Sequence, residues 1–287
     1  MNKVSVVTDT TACIPQEKVA QYDIEIVPVQ LIFEDKTYRD GIDINAAEFY
    51  ARLRESSRPP TTSSSSPELY FEAFQKAARK AKNVLCITEP SKFSAMYNSA
   101  TVAKEKMSKT SPEVNIEVLD CTTAAAGQGL VALAAAEAAT TGRSLIEVKE
   151  TAEQVMERVN LFATLDTLHY LARSGRVPQA AAMVNSILKI KPIFTLNHAN
   201  AHTVALPRTI KSAMNRILKL MEQNVVSGKA LHATVMHADA IDNAIALRNR
   251  IASQFNCTEL FITEFTPVMG VHTGPGLLGV AFYNEGT

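Results

Sequence analysis

Two stretches of this 287-residue chain concentrate hydroxyl groups where a folded backbone could hold an anion. The first is Thr61-Thr62-Ser63-Ser64-Ser65-Ser66, set between Pro59-Pro60 and Pro67. Ser66-Pro67 has the form of an N-cap followed by proline at the first helical position. Hydroxyl donors beside a helix start join the free backbone N–H groups there, a combination suited to negative charge. The same run also reads as a flexible serine linker. The second stretch runs from Thr88 to Ala100, where a loop carrying Ser91 and Ser94 passes into a helix. One serine there is ordinarily only a cap. Two such segments on neighbouring strand-loop-helix units could converge on a single acid group.

Two further segments could carry chemistry. In Leu168 to Arg176, Arg173 and Arg176 flank Ser174-Gly175 at a predicted helix end. They suit an anion or a partner, and equally a solvated last turn favoured by the helix dipole. In Gly270 to Gly279 the end matches G-x-G-x-x-G, but a strand follows it instead of preceding it. A dinucleotide fingerprint needs a strand before and a helix after, so the match is accidental. The segment is read as a glycine-rich turn, with Gly274 in it, that places His272 in a cleft.

The elements that must position these residues alternate. Val4 to Thr8, Ile24 to Phe33, Val84 to Ile87 and Ile116 to Asp120 read as strands. Helical patterns lie between them, such as Leu69, Ala73, Ala77 and Ala81. This alternation predicts βαβ units and a parallel sheet, whose ligands gather at the carboxyl ends of strands, where Asp9, Thr88 and Asp120 fall. Gly142-Arg143-Ser144 ends one helix and starts another, with a stripe at Ile146, Ala152, Val155 and Val159. The second half offers strands at Leu161 to Leu165, Ile190 to Leu196, Leu231 to His237, Leu260 to Phe265 and Val280 to Tyr283. Helices at Ile210 to Val225 and Ala240 to Phe255 separate some of them. The expectation is an α/β protein of two domains, 1–160 with a parallel sheet and 161–287 with a mixed sheet. The ligand pocket is expected between or within them.

Composition narrows the function. Hydrophobic residues make up 46% and charged residues 20%, ordinary for a folded chain with a sizeable core. Lys plus Arg number 29, as do Asp plus Glu, so nothing draws the chain to nucleic acid. Cys13, Cys86, Cys121 and Cys257 form no CxxC or Cys/His cluster and read as reduced thiols. The N-terminal apolar run is too short for a signal peptide. Leu130 to Ala139 is broken by Glu137 and too short for stable membrane insertion. A cytoplasmic protein is expected. An enzyme is disfavoured: a hydrolase built on Ser94, His272 and Asp9 lacks a G-x-S-x-G elbow. A phosphotransferase on Asp9 lacks an Asp-x-Asp pair, and no H-x-x-x-H spacing offers a metal site.

Taken in order, these segments resemble the DegV family of bacterial fatty-acid-binding proteins that serve fatty acid kinase. The likeness runs through Thr8-Asp9-Thr10-Thr11, Val27-Pro28-Val29, Tyr38-Arg39-Asp40-Gly41 and Pro60-Thr61-Thr62-Ser63. It continues through Ser94 to Ala100, Leu165 to Arg176, Ile190-Lys191-Pro192-Ile193, His237-Ala238-Asp239 and His272-x-Gly274-Pro275-Gly276. The resemblance implies a carrier, with a long-chain fatty acid as ligand, no cofactor, and a kinase catalytic subunit as partner. It implies Thr62 and Ser94 as carboxylate ligands, Ser63 and Gly274 in the same site and His272 close by. It places Arg173 near the pocket mouth or the docking face. A regulatory lipid sensor would use the same pocket. An apolar run, Ala180 to Val184 with Ile187 and Leu188, reads as tail lining or as plain core.

The chain departs from the family pattern twice. Ser64-Ser65 stand where the family usually has Gln-Pro, and Ala95-Met96 where it usually has Gly-Thr.

Overall fold

The computed structural model describes residues 3–184 and 190–286. Its first strand, Val4–Asp9 (β1), is buried throughout, as an unbroken β-branched run predicts for a strand covered on both faces. Gln16–Tyr22 (α1) follows, then Glu25–Val27 (β2), Gln30–Phe33 (β3) and Lys36–Arg39 (β4). The single β stretch expected over Ile24 to Phe33 is therefore two strands in two sheets. Pro28 lies at the break, where it can donate nothing to a ladder.

Next come Ala46–Glu55 (α2), Thr61–Ser63 (β5), Pro67–Lys80 (α3), Asn83–Thr88 (β6) and Met96–Thr110 (α4). Asn115–Asp120 (β7), Ala126–Thr140 (α5) and Leu145–Arg158 (α6) complete the first half. Part of the serine run, read above as a loop or linker, is thus a strand, with Thr62 paired to Leu31 of β3. The helix start at Ser144 is a capping box with Glu147. Ile146, expected in the core stripe, is 70% exposed, and Val148 takes its place.

The second half runs Asn160–Thr164 (β8), His169–Ser174 (α7), Pro178–Val184 (α8), Ile193–Asn197 (β9) and Asn200–Ala205 (β10). It continues with Ile210–Asn224 (α9), Leu231–His237 (β11), Ile241–Gln254 (α10), Cys257–Glu264 (β12), Pro267–Thr273 (α11) and Leu278–Asn284 (β13).

The sheets match the α/β expectation and add one. A four-stranded parallel sheet has the order β2-β1-β6-β7. A six-stranded sheet, β10-β9-β8-β13-β11-β12, is mixed, because β11 and β12 run parallel and the rest antiparallel. The small sheet β4-β3-β5 is antiparallel.

Helix α5 joins the two large sheets. It packs on β1 and β6 of one and on β11 and β13 of the other, beside α6. It is apolar all round, the composition of a helix with no solvent face, and nearly all its residues are buried. Gly129 belongs to this packing, since a Cβ there would lie 2.5 Å from the Ala12 carbonyl oxygen. One core cluster runs from the parallel sheet through α5 to the near face of the six-stranded sheet. A second fills the far face beneath α9 and α10.

Candidate functional site

The near face of the six-stranded sheet forms one wall of a cavity. Successive residues of a strand point to opposite faces. Leu161 and Ala163 of β8 and Phe194 and Leu196 of β9 line the cavity, while Phe162 and Ile193 join the far core. Met236, Phe265 and Leu277 extend the apolar lining. The space open to water centres is about 210 Å³. By the same measure one water needs roughly 10–15 Å³, so there is room for a long chain.

The other wall is polar and is assembled from separate segments. Thr62 sits mid-strand in β5, half-buried, and its Oγ1 lies 3.0 Å from Nε2 of His272 on α11. Ser63 and Ser64 line the cavity beside it. Ser94, in the loop that opens α4, lines it too, as does Glu89 just past the end of β6. The Glu89 backbone N–H donates to Asp9 Oδ2 at 3.1 Å, tying the end of β6 to the end of β1. Asp9 also accepts from the Thr11 N–H at 3.0 Å, from the Thr11 hydroxyl and from Gln128 Nε2 at 3.2 Å. This buried network fixes the strand ends that bear the site.

The two departures from the family pattern are neighbours. Ser64 Oγ accepts from the Ala95 N–H at 3.1 Å, and Met96 Sδ accepts from the Ser65 N–H at 3.2 Å. The Ser65 hydroxyl donates to the Pro28 carbonyl at 2.8 Å. The serines that stand for Gln-Pro therefore clasp the residues that stand for Gly-Thr, and Met96 fills the cavity wall where a threonine would offer a hydroxyl.

His272 is held by a helix, where a glycine-rich turn was expected. Pro267 occupies the first turn of α11, and the Val268 N–H donates to buried Asp40 Oδ1 at 3.4 Å. The turn comes after, and Gly274 caps the helix with φ +68°. A Cβ on Gly274 would lie 2.2 Å from the Tyr170 ring, so α7 and α11 meet at a place only glycine fits. Gly274 is not in the cavity wall.

The arginines divide. Arg173 lies exposed at the end of α7 over the Tyr170 ring and outside the cavity wall, whereas Arg176 lines it. Burial, and then the charges of Arg176 and Arg173, hold His272 down to about 3, so its imidazole is neutral at physiological pH. Burial and the nearby Asp9 push the Glu89 carboxyl up to about 7, opposed by Ser94 and Arg176. Val177 lines the cavity and Ala180 is buried beside it. Ala182, Val184, Ile187 and Leu188 lie outside the residues whose side chains are described.

Among the described residues no hydrogen bond joins Ser94 to His272, and Asp9 faces Thr11 and Gln128. The hydrolase arrangement is not assembled. Nor, among them, does any group of three His, Cys, Asp or Glu side chains suit a metal ion, and no helix is long and apolar enough to cross a membrane.

The arrangement is that of an α/β protein with a cavity that has an apolar sheet face on one side and a group of hydroxyls on the other. A family model described as an uncharacterised protein, DegV family, matches residues 3–285. The chain belongs to the DegV family. A DegV domain-containing protein of Halalkalibacterium halodurans is 30% identical over 288 residues, covering 99% of this chain and all of the relative. A DegV family protein from Thermus thermophilus, described by its fatty acid binding, superposes with a TM-score of 0.91 at 29% identity. That match covers 99% of this chain and 100% of the other. DegV of Bacillus subtilis, a fatty acid binding protein, superposes with a TM-score of 0.87 at 29% identity and the same coverage.

Proposed function

We propose that this protein is a non-catalytic carrier that encloses a long-chain fatty acid and presents its carboxyl end to a separate kinase. The observation that carries the reading is the cavity itself. An apolar wall from one sheet faces a cluster of hydroxyls in which Thr62 and His272 are 3.0 Å apart and Ser94 stands nearby. The fatty acid binding of relatives matched along the whole chain supports the ligand class.

In this reading Thr62 and Ser94 donate to the carboxylate, with Ser63 beside them. Neutral His272 holds the Thr62 hydroxyl in place instead of forming an ion pair. The tail supplies the affinity, at roughly 0.8 kcal/mol per buried methylene, or about 12 kcal/mol for some fifteen of them before ordering costs. The hydroxyls spare the buried head group an unmet hydrogen-bond demand without trapping it in a strong ion pair. Such a balance suits cargo that must be handed on. Arg173, exposed beside the cavity, is available to a docking kinase.

The test is native mass spectrometry of the purified protein, followed by identification of any released lipid. One fatty acid per chain is the expected result. An empty protein that also takes up no added fatty acid would overturn the reading. The kinase role is tested separately, by whether the loaded protein supports acyl phosphate formation with a fatty acid kinase and whether Arg173→Ala slows it.

A further inference from the structure

The cavity wall already contains a carboxyl group. Glu89 lines it with Ser94, Arg176 and His272, where β6 ends and the loop to α4 begins. Its backbone is tied to Asp9, and Ser94 lines the same stretch of wall. The ionisable groups around it come from four parts of the chain, including Tyr70 of α3, whose phenol is kept neutral by burial and then by nearby negative charge. Asp9, at the end of β1, repels its charge, and Arg176, between α7 and α8, attracts it. His272, on α11, stays neutral.

A fatty acid held by Thr62 and Ser94 would bring a second carboxyl to the stretch of wall that Glu89 lines. Two carboxyls crowded into one partly enclosed site do not both ionise readily, and they titrate as a pair with one proton between them. We propose that Glu89 is a head-group residue that holds one proton jointly with the bound acid, so that an acid bound at neutral or alkaline pH brings a proton with it. This rests on the carrier reading. It makes the site distinguish an acid from a neutral-headed chain of equal length according to pH.

The sign follows from linkage. In the free protein Glu89 titrates near 7. With a second carboxylate beside it, the pair keeps its last proton to higher pH. Below about 7 the proton is already present, and binding costs none. Above 7 it must be taken up, so affinity falls as pH rises, approaching about tenfold per pH unit.

The experiment is calorimetry on delipidated protein with decanoate and with decanol, each below its aggregation limit, from pH 6 to 9. Two buffers of different ionisation enthalpy count the protons. Expected for the wild type is decanoate affinity that falls about tenfold per unit above pH 7 with uptake of up to one proton, and decanol affinity that stays level. Glu89→Gln should abolish both the slope and the uptake and bind decanoate about tenfold tighter than wild type at pH 8. A wild-type ratio of decanoate to decanol affinity that is constant with pH overturns the proposal, and so does an unchanged slope in Glu89→Gln. Should that variant fail to fold, the wild-type ratio alone decides. Absence of binding by either ligand at every pH overturns this inference, and absence of long-chain acid uptake as well overturns the carrier reading with it.

Discussion

One side of the cavity is an apolar sheet face, to which β8 and β9 contribute Leu161, Ala163, Phe194 and Leu196. The polar wall comes from β5, the loop before α4, and α11, which are far apart in the chain and joined by side-chain hydrogen bonds. Apolar contact is non-directional, so the sheet face tolerates changes that keep its volume. Hydrogen bonds depend on distance and angle, so the polar wall works only if each segment is held in register. Volume-tolerant and geometry-dependent contacts therefore come from different parts of the molecule, and perturbing each part should show it.

The sharpest break is Thr62→Ala with Ser94→Ala. Two hydrogen bonds to a charged group, at about 1.5–3 kcal/mol each, predict a 10²- to 10⁴-fold loss of fatty-acid affinity with little change in melting temperature. Affinity within threefold of wild type would remove these residues from the head-group site. Phe194→Ala should act on the fold as well as on the tail pocket. Truncating this buried side chain should cost about 3–5 kcal/mol of stability in denaturant titration while decanoate binding keeps its pH dependence.

Gly274→Ala tests the seam between α7 and α11. Positive φ and a Cβ against Tyr170 predict destabilisation of roughly 2–3 kcal/mol, visible in the unfolding midpoint. Buried Asp40, pushed up to about 6 by burial, destabilises the fold once it must ionise. Stability should fall as pH rises from about 4 through 6, by roughly 2 kcal/mol, and Asp40→Asn should flatten that fall. Smallest of all, Arg173→Ala should change the stability of this exposed position by about 0.5 kcal/mol or less.

How much could be read beforehand differs between the walls. Strand β11, Leu231–His237, was expected at the same residues, and α9 and α10 within a residue of their observed ends. Period and burial act locally in such segments. The polar wall was harder. Thr61 to Ser63 has hydroxyl residues that suit a loop, and only pairing with β3 makes it a strand. The helix bearing His272 was hidden by its neighbouring glycines, although Pro267 at the first helical position was the available signal. Glu89 as a cavity residue was missed because its surroundings come from other elements, Asp9 from β1 among them, and of the two arginines raised as anion candidates it is Arg176 that lines the cavity.

Helix α5 bears on how a ligand would enter and leave the proposed carrier. Its surface is shared between two sheets that hold opposite ends of the chain, β1 on one side and β13 on the other. Swinging the sheets apart like jaws would strip one side of a helix that has almost no polar residue to meet water. Movements in the cavity walls therefore cost less than parting the two large sheets, which α5 ties together.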